Sequence, residues 1–342
     1  MDFQLRRLWV KKDKKHREIW KYLLYQAGIR PEENVEYTVG LYDGDKIIAT
    51  GSIARNVLKC IAVSKEYTGG GVINQLISHL MNIVFENGQN ACYVYTKPSA
   101  SQSFTYLGFQ EIARVKGELV FMEKANFGFP YFIKNLKQKK VEGNAIAGIV
   151  MNANPFTKGH LHLVERAAKE NDVVHLFVLS EDASVFPAED RLHLVKMGVV
   201  HLNNVHVHET GNYMVSSATF PSYFLKENTN VTKIHAMLDA TIFKEFIAPA
   251  LSITRRYVGE EPYSEATNIY NEVMAEVFDG KPSLIIIPRK KEGEEVISAS
   301  RIRQLLVEGD LEKIKPLVPT TTYDYLNSSK GNLVQKKLQN KE

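Results

Sequence analysis

The sequence predicts an α/β protein in two parts: an α+β half, then a Rossmann-like, doubly wound parallel sheet. Three observations predict it. The chain has 342 residues, enough for about two domains at roughly 150 residues each. Its first half orders strands, a glycine run and one long amphipathic helix. Its second half alternates strand-like apolar runs with helical ones, the pattern of parallel βαβ units.

Each element has a local reason. Residues 14–27 place Ile19, Trp20, Leu23 and Leu24 on one helical face. Residues 37–42 and 46–54 are strands flanking the turn Asp43-Gly44-Asp45. Residues 57–63 form another strand. The run Gly69-Gly70-Gly71 opens a helix over 72–87 that carries Leu76, Ile77, Leu80, Ile83 and Val84. A strand over 91–95, a helix over 101–107 and strands from Phe109 onward complete the first half. Residues 126–143 are rich in lysine and read as an extension and linker. Beyond them, strands are expected over 145–151, 173–179, 205–209, 234–238 and 283–287, with helices over 161–170 and 188–200. The domains expected are thus 1–125 and 144–326, with a polar, frayed tail over 327–342.

Composition narrows the class. Hydrophobic residues are 44% and charged residues 24%, ordinary for a globular protein and unlike disorder, collagen or coiled coil. Cys60 and Cys92 are too few for a disulfide framework, and no Cys/His cluster has metal-ligand spacing. The N-terminal run lacks the apolar core of a signal peptide, and no apolar stretch reaches the roughly 18 residues of a membrane span. A cytoplasmic protein is expected. The net charge of +4 raises the question of nucleic acid. The surplus lies in residues 1–20, 134–140 and 330–342, without an aromatic-and-basic platform, so no nucleic-acid partner is expected. A docking surface for an acidic protein fits better.

The chemistry concentrates in residues 148–160. A strand ends, a polar turn follows with Asn152, Asn154 and Phe156, and a helix opens at Gly159-His160. Ligands of open α/β sheets bind at carboxyl ends of strands, and a new helix aims N–H groups at an anion. Gly159 would let a phosphate approach the backbone. His206 and His208 alternate on a strand and read as a solvated face.

Thr157-Lys158-Gly159-His160 resembles the (H/T)xGH signature of the nucleotidylyltransferase superfamily. Ile297-Ser298-Ala299-Ser300-Arg301-Ile302-Arg303 resembles its partner motif, ISxxxxR. Phe186-Pro187 followed by Arg191 resembles a third, looser feature. The resemblance implies attack on the α-phosphorus of ATP with release of pyrophosphate. His160 and Thr157 would donate to phosphate. Ser298, Ser300, Arg303 and Arg191, with Arg289 or Lys290, would face the leaving group. Mg²⁺ would be bound through the triphosphate.

In the first half, the glycine run, the long helix and Tyr106-Leu107-Gly108-Phe109 resemble a GNAT N-acetyltransferase domain. Its pyrophosphate loop is degenerate: Thr68 and Ile73 depart from the pattern and Gly71 matches. Together the halves resemble the citrate lyase ligase family, over roughly residues 1–326. Residues 247–251 and 258–262 fit it too. That resemblance implies an ATP-dependent acetate ligase. Acetate would become acetyl-adenylate, then pass to the thiol of the dephospho-CoA-type group on the citrate lyase acyl carrier protein. Asn152, Asn154 and Tyr213 are candidates near the acetate. Three alternatives stand: an adenylyltransferase for a phosphate-bearing small molecule, an acetyltransferase with an accessory nucleotide domain, and a sensor without catalysis.

Overall fold

The computed structural model describes residues 3–68, 71–180, 184–214, 220–225, 230–260, 265–293 and 295–340. The expected turn residues Gly69 and Gly70, and Glu261 and Pro262, lie outside them. The chain divides into two compact units. One holds Met1–Phe132 and Pro221–Ile234; the other holds Ile133–Phe220 and His235–Glu342.

The first unit is a mixed sheet. It comprises β1 (Gln4–Arg7), α1 (Lys14–Gln26), β2 (Tyr37–Asp43), β3 (Lys46–Ala54), β4 (Val57–Val63), α2 (Val72–Glu86), β5 (Ala91–Thr96), α3 (Pro98–Tyr106), β6 (Gln110–Val115) and β7 (Leu119–Ala125). Strand order is β1-β2-β3-β4-β5-β7-β6. Among the described residues of this sheet only β4 and β5 pair in parallel, joined by α2, through Val57–Tyr93 and Leu58–Val94. Gly71 caps α2 in the left-handed region, φ 83°. Leu76, Ile77, Leu80 and Val84 pack on Val39, Leu41, Ile48, Leu58 and Val94.

Residues 126–143, expected to be a linker, contain α4 (Phe129–Gln138), with Phe129 and Leu136 buried. The lysines mask this helix in the sequence because they occupy its outer face.

The second unit contains β8 (Ile146–Met151), α5 (Lys158–Glu170), β9 (Val173–Val178), α6 (Ala188–Gly198), β10 (Val205–Glu209) and, from His235 onward, α7 (Val231–Ile242). A π-helical turn, Phe243–Ile247, leads to α8 (Ala248–Leu251), β11 (Arg255–Gly259), α9 (Glu265–Phe278) and β12 (Ser283–Ile287). A two-strand ribbon, β13 (Lys291–Glu292) and β14 (Glu295–Val296), precedes α10 (Ala299–Glu308), α11 (Leu311–Ile314), α12 (Thr320–Leu326) and α13 (Ser329–Gln339). The sheet order is β10-β9-β8-β11-β12, and every pair is parallel. The order reverses at β8, so the crevice outside its carboxyl end is the expected ligand position.

Two expectations fail here. Residues 234–238 lie within α7, not in a strand; Ile234, Leu238 and Ile242 are buried at helical spacing. A short apolar run does not distinguish the two periods. The sheet position goes instead to β11. The tail is not frayed: Ser328 caps α13, Gly331 and Val334 are buried, and Gln335 donates to the Leu306 carbonyl at 2.9 Å.

Candidate active site

The strand β8 ends at Met151, and residues 152–157 form the turn into α5. Thr157 is the helix cap. Its hydroxyl accepts the His160 N–H at 3.3 Å, and the His160 ring reaches back to the cap. The Thr157 N–H donates to His160 Nδ1 at 3.1 Å. An Nδ1 that accepts a backbone N–H carries no proton, so the neutral ring holds its proton on Nε2. Burial and the nearby Arg289 charge lower the His160 pKa to about 4. His160 is thus a neutral donor near pH 7. Phe156 stacks on it with centroids 5.9 Å apart and is itself fully buried.

The second motif meets the first. Arg303 donates to the Asn154 carbonyl at 2.7 Å and to Ser300 Oγ at 3.0 Å. A guanidinium has five N–H donors, so Arg303 keeps others among the described residues. Burial lowers its pKa, yet it remains a cation. Ser298 caps α10 and accepts the Arg301 N–H at 3.2 Å. A Cβ added to Gly159 would lie 3.0 Å from the Ile297 carbonyl oxygen. Gly159 therefore permits the close approach of the second motif, which is a different reason from the phosphate contact expected. The N-termini of α5 and α10, His160, Arg303 and Ser300 form one polar cluster beyond the end of β8. Such an arrangement is chemically suited to a polyanion and to charge growing on it.

A family model described as the citrate lyase ligase C-terminal domain matches residues 146–326. The [citrate [pro-3S]-lyase] ligase of Escherichia coli (strain K12) is 38% identical over 322 residues, covering 92% of this chain and 91% of that protein. The chain belongs to the citrate lyase ligase family. The ligase of the same description from Klebsiella pneumoniae is 36% identical, covering 95% of this chain and 97% of its own. Among solved structures, Escherichia coli ElaA is similar at 13% identity and a TM-score of 0.32, covering 36% of this chain and 99% of that one.

Other residues of this citrate lyase ligase family chain take unexpected places. Arg191 was expected to face the leaving group. Its guanidinium is buried and donates to the Asn152 carbonyl and Oδ1, each at 2.7 Å, and to the Phe186 carbonyl at 3.1 Å. It shapes the turn. Asn152 also donates to Ser184 Oγ at 3.1 Å, and Asn154 Oδ1 accepts the Phe186 N–H at 3.1 Å. Both side chains therefore hold the residue 184–186 loop against the end of β8. Thr322 on α12 donates to the Phe156 carbonyl at 2.9 Å. Tyr213 is buried in the same unit. Arg289 donates to the Glu260 carbonyl at 2.7 Å and is half-buried.

His208 was expected on a solvated face. It is buried, with Nε2 2.9 Å from His175 Nδ1 on β9. The pair occupies the sheet face opposite α5 and α6, which other elements cover. Burial lowers the His175 pKa to about 4 and the His208 pKa to about 3. No group of three or more metal-ligating side chains occurs among the described residues, and no described helix is long and apolar enough to cross a membrane.

Proposed function

We propose that this chain is an ATP-dependent acetate ligase of the citrate lyase system. Acetate attacks the α-phosphorus of ATP, and pyrophosphate leaves. The acetyl group of acetyl-adenylate then passes to the thiol of the dephospho-CoA-type group on the citrate lyase acyl carrier protein, releasing AMP. The observation that carries the reading is the 2.7 Å bond from Arg303 to the Asn154 carbonyl. It joins two motifs far apart in the chain around one anion-binding crevice. The names of the full-length relatives point to the same reaction.

The residues have distinct work in that reaction. His160 donates from Nε2 to the α-phosphate and stabilises charge that builds in the transition state. Arg303 and Arg289 offset the charge of the leaving pyrophosphate. The Ser298 and Ser300 helix start adds N–H groups to the same end. Mg²⁺ would be held by the triphosphate and water, as that ion commonly is in such sites, and would supply charge neutralisation there. Arg191 keeps Asn152 and the 184–186 loop in place without touching substrate.

Exchange of labelled pyrophosphate into ATP, run over formate, acetate, propionate and butyrate, tests the proposal. Exchange that depends on acetate supports it. Exchange that depends on a phosphate ester instead would make the protein an adenylyltransferase for a phosphate-bearing small molecule.

A further inference from the structure

The second unit holds a buried polar cluster that the phosphate site does not use. Arg256 lies on β11 and is 6% exposed. Its Nε and Nη1 are shielded from solvent and have no hydrogen-bond partner among the described residues. A buried cation with open donors is costly unless an anion completes it. Its guanidinium lies over the Phe243 ring, 4.6 Å from the centroid. Phe243 belongs to the π-helical turn Phe243–Ile247, a rare geometry concentrated at functional positions. The ring fits there because Gly148 has no side chain; a Cβ at Gly148 would sit 2.7 Å from it.

Three more polar groups belong to the same cluster. Tyr270 on α9 donates to Asp239 Oδ2 at 2.5 Å, and His235 Nε2 lies 3.6 Å from the same oxygen. The Asp239 charge acts on Arg256 across the cluster. Phe220 stacks on His235, with centroids 4.6 Å apart. Arg256 is in register with Gly148 on β8, the strand whose carboxyl end carries the phosphate-facing turn. The cluster is therefore in the same unit and on the neighbouring strand.

We propose that Arg256 receives the carboxylate of the short acid that the enzyme activates. This rests on the acetate-activating reading above. The chemistry selects the ligand class. An open guanidinium donor suits a carboxylate oxygen through a charge-assisted hydrogen bond. Asp239 nearby disfavours a multiply charged phosphate, so a singly charged anion fits.

The test uses the full chain and acetate itself. Arg256→Met and Arg256→Lys are assayed for pyrophosphate exchange, and for acetate-induced thermal shift without ATP against chloride at equal ionic strength. Loss of a charge-assisted contact should raise the acetate KM roughly tenfold to a hundredfold, leave the ATP KM within about twofold, and abolish the acetate shift. Arg256→Lys retains the charge and serves if the methionine variant does not fold. An unchanged acetate KM would overturn the proposal, as would equal rises for acetate and ATP. Absence of acetate-dependent exchange in the unaltered protein would overturn the functional reading together with this one.

Discussion

The role proposed for His160 depends on one bond. Because Nδ1 accepts the Thr157 N–H, the ring presents Nε2–H outward without being an imidazolium. Protonating Nδ1 would set N–H against N–H and break the cap. Burial and Arg289 oppose that proton, and the pKa falls to about 4. The neutral ring therefore dominates above about pH 5, and its Nδ1 acceptor is lost only as pH falls through about 4, while Nε2 keeps its N–H in both forms. An NMR titration should find His160 neutral at pH 5.5, and kcat/KM for exchange should show no His160 limb near 6.5. His160→Ala should cut acetate-dependent exchange by roughly 10²-fold or more, as for a lost charge-stabilising donor. Near-normal exchange would remove it from the chemistry. The local parts of this site are legible in sequence, because a strand end, a cap and a helix start are neighbours in the chain. The partners of Gly159 and Arg191 are not. Ile297 faces Gly159, and Asn152 accepts from Arg191, only after the sheet has brought them together.

At the scale of elements, β9 and β10 carry a liability. Their facing histidines, His175 and His208, are buried as neutral rings with pKa values of about 4 and about 3. Unfolded, each would titrate near 6.5. The unfolded chain then binds more protons below 6.5, so stability is complete above that pH and declines as pH falls toward 4 and 3. Each ring contributes a slope of up to about 1.4 kcal/mol per pH unit. Urea unfolding at pH 7, 6 and 5 should show the decline, and His208→Gln should flatten it; an equal slope in the variant would assign the acid sensitivity elsewhere. Sequence patterning missed this pair for a definable reason. Alternation reports which residues share a face, not whether another layer covers that face. The same limit hid β1 and β11. Gln4-Leu5-Arg6-Arg7 and Arg255-Arg256 are strands because their neighbours pair with them, not because their own residues are apolar.

For the whole molecule, the charge distribution has a consequence for the second half-reaction. In the first twenty residues some cations are already engaged. Arg7 lies over Trp9 and Tyr37, 4.1 Å and 4.6 Å from their centroids, and Arg17 donates to the Val10 carbonyl at 2.7 Å. Lys11, Lys12, Lys14 and Lys15 are exposed. Lys14 has an ion pair with Glu18 at 3.9 Å, a separation at which an exposed helical pair contributes little. Among the described residues these lysines belong to no buried apolar cluster, so their charge acts outward. A basic patch accelerates encounter with an acidic protein and loses that effect within about 8 Å of screening at physiological salt. On the proposed reaction, the macromolecular partner is the carrier protein and enters only after acetyl-adenylate has formed. Reversing Lys11, Lys12 and Lys15 to Glu should therefore leave pyrophosphate exchange unchanged and raise the carrier-protein KM several-fold at low salt. Adding salt should raise the KM of the unaltered enzyme toward that of the variant. Parallel salt curves for the two enzymes would place carrier docking on another surface, and a fall in exchange would tie these lysines to the first half-reaction instead.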